Sequence, residues 1–524
     1  MSRMRTTAAA AILILGTVFS GQMFHAGVGI EAKAENLSTS AGAAVYAEAP
    51  SSQGFDSVTA AMRVTALPAS VTEASATAPT SVSAAEVSST KAVTTAKSVS
   101  EAVTEEIPPE VSEVSEAEST AVSEEVPAAE AEAVTEAPVT TTTPPPTTTA
   151  PIVTELQEPD RLIINYKKQK AMWFPVMDLQ SMIEGKTEWQ YRTAFEKACQ
   201  NCCELGINTV YFHARPFADA MYKSTVFPWS RYASGTPCRS PGYDPLEIAV
   251  EICHKYELSI HAWINPYRVG FEYDLLAAPD SFIVKKWYQD PSAYPDYVSY
   301  VEETGKIWMD PGRPEVRTLI VMGVKEIVEN YEVDGIHIDD YFYPTTEDWF
   351  DDSSYAKYGG GLSLKDYRLR NCTVTVKAIY DAVKAVDKDL VFGIAPQGNY
   401  ENNYAYMYAD VALWLSTPGY CDYLAPQMYF GYEHQYKPFL TVLQQWAALP
   451  RDKSVSLIIG IAAANIELQD EFNDNKGIIA SQIRDGFKYA TGIALYRYDS
   501  LYDPAPGYEQ RAASEWVYIG NALR

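Results

Sequence analysis

The chain has 524 residues, a formal net charge of −27, and 47% hydrophobic residues. Its length allows about three domains of ordinary size, but the composition is uneven. From Glu35 to Glu155 there are 18 acidic and 3 basic residues, and the aromatic residues of this stretch are Tyr46 and Phe55. The sequence holds no concentrated group of Lys and Arg that could bind phosphates, which argues against a nucleic-acid partner.

The first 34 residues have the pattern of an export signal. Arg3 and Arg5 form a basic start, the apolar run Ala8–Phe19 is short for a bilayer span, and Ala32-Lys33-Ala34 is a cleavage site of the A-x-A type. An uncleaved membrane anchor is the alternative. We expect a signal peptide over 1–34 and a secreted or cell-wall associated protein, with no transmembrane segment after signal cleavage.

Residues 35–159 are dominated by Ala, Val, Thr, Ser, Glu and Pro, and a Thr/Pro run closes this segment. Such a composition buries too little apolar area to offset the cost of ordering the backbone. We therefore predict a disordered acidic linker, either a stalk that holds a domain away from the cell surface or a leader without a binding role.

Seven cysteines follow this segment, an odd number without regular spacing. They are a poor disulfide framework, and we interpret the Cys199–Cys203 group as buried residues of a helix. We expect no metal and no cofactor.

From residue 160 to 524, short apolar runs alternate with amphipathic stretches, which predicts one folded domain. Helices are expected at Trp189–Leu205, Pro245–Tyr256, Glu315–Tyr331 and Lys365–Val386. Eight strands separated by helices predict an α/β fold, a (β/α)8 TIM barrel, with an open doubly wound sheet as the alternative. The predicted strands are Ala171–Leu179, Thr209–Pro216, Ser259–Arg268, Gly335–Tyr343, Leu390–Asn399, Asp422–Tyr429, Ser456–Ala463 and Gly492–Tyr498.

The motif from Asp334 to Pro344 carries the main chemical prediction. Alternation along a strand turns His337 and Asp339 into the barrel, and Asp340 begins the loop beyond. An inward carboxylate among aromatic residues at the top of a barrel is typical of a glycosidase that stabilises an oxocarbenium-like centre. The alternative is a structural carboxylate paired with Arg215 or Arg268.

The same alternation predicts inward side chains on two earlier strands: Tyr211, His213, Arg215, His261, Trp263 and Asn265. The three inward histidines raise a metal hypothesis, but they lie at different heights along their strands. Histidines that position carboxylates or sugar hydroxyls are therefore the favoured interpretation.

Glu433 is the expected general acid, because desolvation beside Tyr429, Phe430 and Tyr432 would raise its pKa. The Tyr and Trp residues around the strand ends also fit stacking on sugar rings, with ordinary core packing as the commoner alternative. Other carboxyls compete for the acid role: Asp340, Asp178, Asp219, Glu401 and Asp499.

Several motifs, in the same order, resemble the bacterial glycosyl-hydrolase-like family 10, which is distinct from the family 10 xylanases. The resemblance covers about 172 to 498. It rests on Tyr211–Pro216, Asp219–Tyr222, Phe227–Ser230, Pro241–Leu246, His261–Arg268, Asp334–Pro344 and Pro426–Tyr429.

This resemblance implies a barrel hydrolase of β-linked glycans, and some relatives are implicated in cutting peptidoglycan strands stripped of their peptides. It also implies that Asp339 and Asp340 lie in the active site. The residues implied to line that site are His213, Arg215, Asn265, Arg268 and Gln427.

Together these observations predict a secreted, monomeric glycoside hydrolase of a cell-wall type β-linked polysaccharide. Glu433 would protonate the leaving oxygen and Asp339 would act as nucleophile or base, with Asp340 beside it. The predicted substrate-binding residues are His213, Arg215, His261, Trp263, Asn265, Arg268, His337, Gln427 and Tyr429. The alternatives are a non-catalytic barrel that binds cell-wall glycan and a metal-dependent deacetylase or hydrolase that uses the histidines.

Overall fold

The computed structural model describes residues 162–468 and 471–524. The signal peptide expected over 1–34 and the linker expected over 35–159 lie outside the described residues. Of the helices in the described part of the chain, none combines the length and apolar character needed to cross a membrane.

Eight parallel strands close into a barrel, in which the last strand pairs with the first and completes the ring. The predicted α/β fold, a (β/α)8 TIM barrel, is therefore confirmed. The barrel strands are β1 (Lys170–Phe174), β2 (Thr209–Arg215), β3 (Ser259–Ile264), β7 (Gly335–Ile338), β8 (Val391–Ile394), β9 (Tyr423–Leu424), β10 (Ser456–Ala462) and β11 (Gly492–Tyr496).

Between β3 and β7 the chain inserts a small antiparallel sheet of β4 (Arg268–Gly270), β5 (Val298–Val301) and β6 (Lys306–Met309). The sequence did not predict this sheet. The predicted third strand ran on to Arg268, but Pro266 lacks the N–H that a continuing ladder needs. Arg268 therefore begins a new strand, and this position brings it to the top of the barrel.

Most barrel strands end earlier than predicted because a proline follows. Pro175 and Pro216 come directly after β1 and β2, and Pro396 and Pro426 come two residues after β8 and β9. Each proline removes a backbone donor and ends the ladder. The polar residues beyond these ends consequently lie on loops at one rim.

The helices surround the barrel, and each of the four predicted ones agrees with an observed helix to within one residue at each end. Helix α2 begins with a capping box between Thr187 and Gln190 and ends at Gly206, which has a φ of 97°. The helices are α1 (Val176–Ile183), α2 (Glu188–Leu205), α3 (Arg231–Ser234), α4 (Pro245–Lys255), α5 (Glu272–Ala277), α6 (Ile283–Gln289), α7 (Pro314–Asn330), α8 (Asp352–Tyr358), α9 (Leu364–Val386), α10 (Tyr400–Ala405), α11 (Val411–Ser416), α12 (Phe439–Ala448), α13 (Glu471–Asp474), α14 (Ile478–Gly486), α15 (Asp499–Tyr502) and α16 (Glu509–Leu523).

The barrel interior follows the predicted alternation. Ile336 and Ile338 belong to the large core between strands and helices, whereas His337 contacts Trp173 and Tyr211 inside the barrel. Gly393 is paired in register with both His337 and Tyr423. Because Gly393 has no side chain, the interior has room there for the Tyr423 ring.

Candidate active site

A cavity opens at the carboxyl ends of the barrel strands, with about 440 Å³ of empty space when the open space at its mouth is included. In barrel enzymes this is the face that carries the active site. The lining residues are Trp173, Pro175, Val176, Met177, His213, Trp263, Arg268, Asp339, Asp340, Tyr341, Gln427, Tyr429 and Tyr496. Of the predicted site residues, the structure therefore brings together His213, Trp263, Arg268, Asp339, Asp340, Gln427 and Tyr429.

Asp339 and Asp340 form a buried carboxyl pair just beyond the end of β7. The Trp263 indole N–H donates to Asp339 Oδ2 at 3.1 Å, and the backbone N–H of Tyr341 lies 3.5 Å from Asp339 Oδ1. Gln427 Nε2 donates to Asp340 Oδ1 at 3.1 Å and to the Ala395 carbonyl at 2.9 Å. Both carboxyls are therefore fixed by neutral donors.

Burial raises the pKa of both carboxyls above the usual range for aspartate, and Asp340 raises the pKa of Asp339 further. The Arg268 guanidinium acts in the opposite direction and lowers both values. Two neighbouring carboxyls in a low-dielectric cavity do not readily ionise together. Over a range of pH the pair can consequently share a single proton, so that one carboxyl is ionised and the other is protonated.

Arg268 reaches this pair across aromatic faces. Its guanidinium carbon lies 4.1 Å from the ring centroid of Tyr341 and 4.6 Å from that of Phe217. A planar guanidinium stacks well on such faces. The inserted sheet thus supplies the positive charge of the cavity.

The rim also carries a pair of aromatic rings. Tyr429 and Tyr496 stack with centroids 5.5 Å apart and an angle of 28° between their planes, and Tyr496 also contacts Trp173 edge to face. Flat rings beside carboxyls suit the apolar faces of a sugar unit.

Three predicted substrate-binding residues lie beneath the cavity and do not line it: His261, His337 and Asn265. The phenol oxygen of Tyr423 lies 2.9 Å from Nδ1 of both His261 and His337. Trp173 Nε1–H donates to His337 Nε2 at 3.1 Å. Burial holds both imidazoles neutral by lowering their pKa, that of His261 to about 3. Their ring nitrogens support the floor and do not face the cavity.

Asn265 is buried as well. Its Oδ1 lies 3.3 Å from His213 Nε2, and its Nδ2 donates to the Pro216 carbonyl at 3.0 Å. The side chain therefore ties two strand ends together below the cavity.

The prediction that Arg215 points into the barrel is wrong. The register between β2 and β3 shifts between His213 and Arg215, so that Arg215 pairs with the outward-facing Ile264. Its guanidinium carbon lies 4.4 Å from the Phe227 ring centroid, outside the barrel. Strict alternation cannot anticipate such a bulge, because the bulge adds one residue to one strand only.

Glu433 does not have the desolvated environment that was expected of it. Its side chain is exposed and does not line the cavity. The backbone N–H groups of Tyr432 and Glu433 donate to the Glu471 carboxylate, at 2.9 and 3.0 Å. The loop is thereby held with Glu433 toward solvent.

The sequence interpretation missed two aromatic residues of the cavity, Trp173 and Tyr496. Both lie on predicted strands and face inward, so the same alternation that selected Trp263 could have identified them. Of the competing carboxyls, Asp340 lies in the cavity, whereas Asp178 pairs with Arg497 and accepts a hydrogen bond from the Asp499 N–H at 2.9 Å.

The metal hypothesis finds no support in the arrangement of side chains. Across residues 162–468 and 471–524, no group of three or more His, Cys, Asp or Glu side chains is placed to hold a metal ion. Each of the three inward histidines has both ring nitrogens within hydrogen-bonding distance of protein groups.

A barrel with buried carboxyls and aromatic rings at its carboxyl end has the architecture of a glycoside hydrolase. Comparison with known proteins agrees. The chain is 32% identical over 304 residues to glycosyl hydrolase YngK of Bacillus subtilis. The aligned region covers 54% of this chain and 58% of YngK. The chain is also 30% identical over 328 residues to glycosyl hydrolase DigH of Escherichia coli K12. That aligned region covers 57% of this chain and 74% of DigH.

A family model described as glycosyl hydrolase-like 10 matches residues 177–476, and the chain belongs to this family. Among solved structures, the glycoside hydrolase domain of PgaB (BpsB) from Bordetella bronchiseptica is similar with a TM-score of 0.48 and 13% identity. That similarity covers 67% of this chain and 99% of the domain.

Proposed function

We propose that the protein hydrolyses a β-linked polysaccharide of the cell-wall type, with Asp339 and Asp340 as its two working carboxyls. The observation that carries this proposal is their joint burial in one aromatic-lined cavity beside Arg268. Burying two neighbouring acidic groups away from water costs free energy. Groups whose pKa values are perturbed in this way are concentrated at functional sites.

In the proposed reaction the carboxyl that holds the proton delivers it to the glycosidic oxygen as the bond to the anomeric carbon breaks. The ionised carboxyl faces the positive charge that develops on the sugar ring and either bonds to that carbon or activates a water. Arg268 limits the pKa rise of the pair, so that one member stays ionised. Tyr429 and Tyr496 would bind the sugar faces.

We further propose that the reaction takes place outside the cytoplasm, on glycan strands stripped of peptide. The residue pattern over 1–34 supports the location, and the motif resemblance to the glycosyl-hydrolase-like family 10 supports the substrate. In the proposed reaction the general acid is a member of the Asp339–Asp340 pair and not Glu433, because the exposed Glu433 side chain lies outside the cavity.

The test is release of new reducing ends from a panel of purified β-linked glycans, including peptide-stripped peptidoglycan, by the wild type and by Asp339→Asn. Release by the wild type alone, with glycan co-sedimentation unchanged in the variant, supports the proposal. Co-sedimentation without release by either form would favour a non-catalytic barrel that binds glycan.

A further inference from the structure

The imidazole of His213 lies flat on the indole of Trp263, with centroids 3.5 Å apart and 5° between the planes. The indole N–H in turn donates to Asp339 Oδ2 at 3.1 Å. We infer that His213 is a positioning residue, which holds the Trp263 ring in the plane from which its N–H reaches Asp339. The inference deepens the proposed function, and its kinetic test rests on it.

Both ring nitrogens of His213 already have hydrogen-bond partners within the protein. The backbone N–H of Val176 donates to His213 Nδ1 at 3.2 Å, so the proton of the neutral ring is on Nε2. That Nε2–H faces Asn265 Oδ1 at 3.3 Å. With both nitrogens engaged, His213 has no ring nitrogen left for a sugar hydroxyl or a metal ion, and its flat face remains.

The ring stays neutral, which keeps the stack in one state. Burial, and then the charge of Arg268, lower the pKa of His213 well below the usual value. A protonated ring would carry hydrogens on both nitrogens and would lose the hydrogen bond from Val176. The His213 imidazole therefore stacks on Trp263 in a single, neutral protonation state.

The indole N–H matters because it favours the charged form of Asp339. The charged and titratable groups that face this carboxyl are Asp340 and Arg268, while the nearby rings of His213 and His337 are neutral. Loss of the N–H would therefore raise the pKa values of the coupled pair. Both limbs of the pH profile of kcat/KM would move to higher pH.

The experiment follows the Trp263 indole directly, by NMR of the full protein with 15N-labelled tryptophan. Trp263→Phe assigns its signal among the ten tryptophans, and Asp339→Asn shows which part of its titration reports the carboxyl. His213→Ala removes the ring that stacks on Trp263. His213→Phe restores a flat ring but lacks the ring nitrogens that hydrogen-bond Val176 and Asn265. His261→Phe is the matched control, since this buried histidine makes no ring contact with Trp263.

In His213→Ala we expect the titration midpoint of the Trp263 signal to rise, and kcat/KM on the acid limb to fall about tenfold, with KM changed less than about twofold. His213→Phe should recover part of both effects, and His261→Phe should leave the midpoint in place. A midpoint unchanged in His213→Ala, or shifted equally in His261→Phe, would overturn the inference. If no glycan is cut but the midpoint still moves as expected, the proposed function fails and the positioning role of His213 stands.

Discussion

Gly393 and Tyr423 are neighbours on adjacent strands, and the ring of the tyrosine occupies the space that a side chain of residue 393 would fill. A Cβ added to Gly393 would lie 1.8 to 2.3 Å from atoms of the Tyr423 ring. The Tyr423 hydroxyl lies 2.9 Å from His261 and from His337, and His337 accepts the indole N–H of Trp173. A glycine in the barrel thus permits the hydrogen-bonded layer on which the cavity floor rests.

Gly393→Ala should therefore destabilise the barrel by about 3 kcal/mol, the usual scale for overpacking a core. Urea unfolding followed by tryptophan fluorescence measures this cost. In a Tyr423→Leu background, which removes the outer ring atoms, the same substitution should cost less than about 1 kcal/mol. Equal costs in both backgrounds would mean that the glycine has another role.

The buried carboxyl pair should make stability depend on pH. Burial raises the folded-state pKa of Asp339 above its unfolded value, so its contribution to stability is present below the unfolded pKa and is lost as pH rises through the folded one. Asp339→Asn removes that loss. We expect its Tm to exceed that of the wild type by about 1–3 °C at pH 8, and the difference to shrink towards pH 4. Glu433→Gln, which changes an exposed carboxyl, should show no such gain.

Tyr429→Ala should lower kcat/KM on polymeric glycan by about tenfold, because it removes one ring of the stacked pair at the rim. Initial rates at low substrate concentration report this value. Tyr489→Ala is a matched control, since that ring is 39% exposed and does not line the cavity. Similar losses in both variants would contradict a binding role for the pair.

The two arginines singled out in the sequence should behave differently. Arg268→Met takes the positive charge from the carboxyl pair, and kcat/KM should fall by about a hundredfold or more. Arg215→Met alters a side chain outside the barrel, so its rate per folded molecule should stay within about threefold of wild type. Rates normalised to the folded fraction from circular dichroism distinguish the two, and a large loss in Arg215→Met would contradict the observed bulge.

Much of the fold could be predicted from the sequence, because barrel strands and helices have strong periodic signals. The eight strands, their order and the inward positions of His337 and Tyr211 agree with the structure. The strands end earlier than the sequence predicts where prolines such as Pro396 and Pro426 interrupt the ladder. The inserted sheet has short strands of three or four residues, which carry little periodicity.

The site was only partly predictable, since side-chain placement depends on features that alternation does not contain. Asp339, Asp340, Arg268 and Gln427 meet in the cavity as expected. A bulge that appears only in the strand pairing reverses the direction of Arg215. The exposure of Glu433 depends on its loop being held by Glu471, a residue far along the chain.

Asp339 and Asp340 are the two carboxyls proposed to carry out the hydrolysis. The most direct measurement is kcat for Asp339→Asn and Asp340→Asn on a cleaved glycan and on an aryl glycoside whose leaving group needs no protonation. On glycan both variants should lose about a thousandfold or more while glycan binding persists, and on the aryl glycoside the variant of the proton-donating carboxyl should recover most of its rate. A rate within a few fold of wild type for either variant on glycan would contradict the claim.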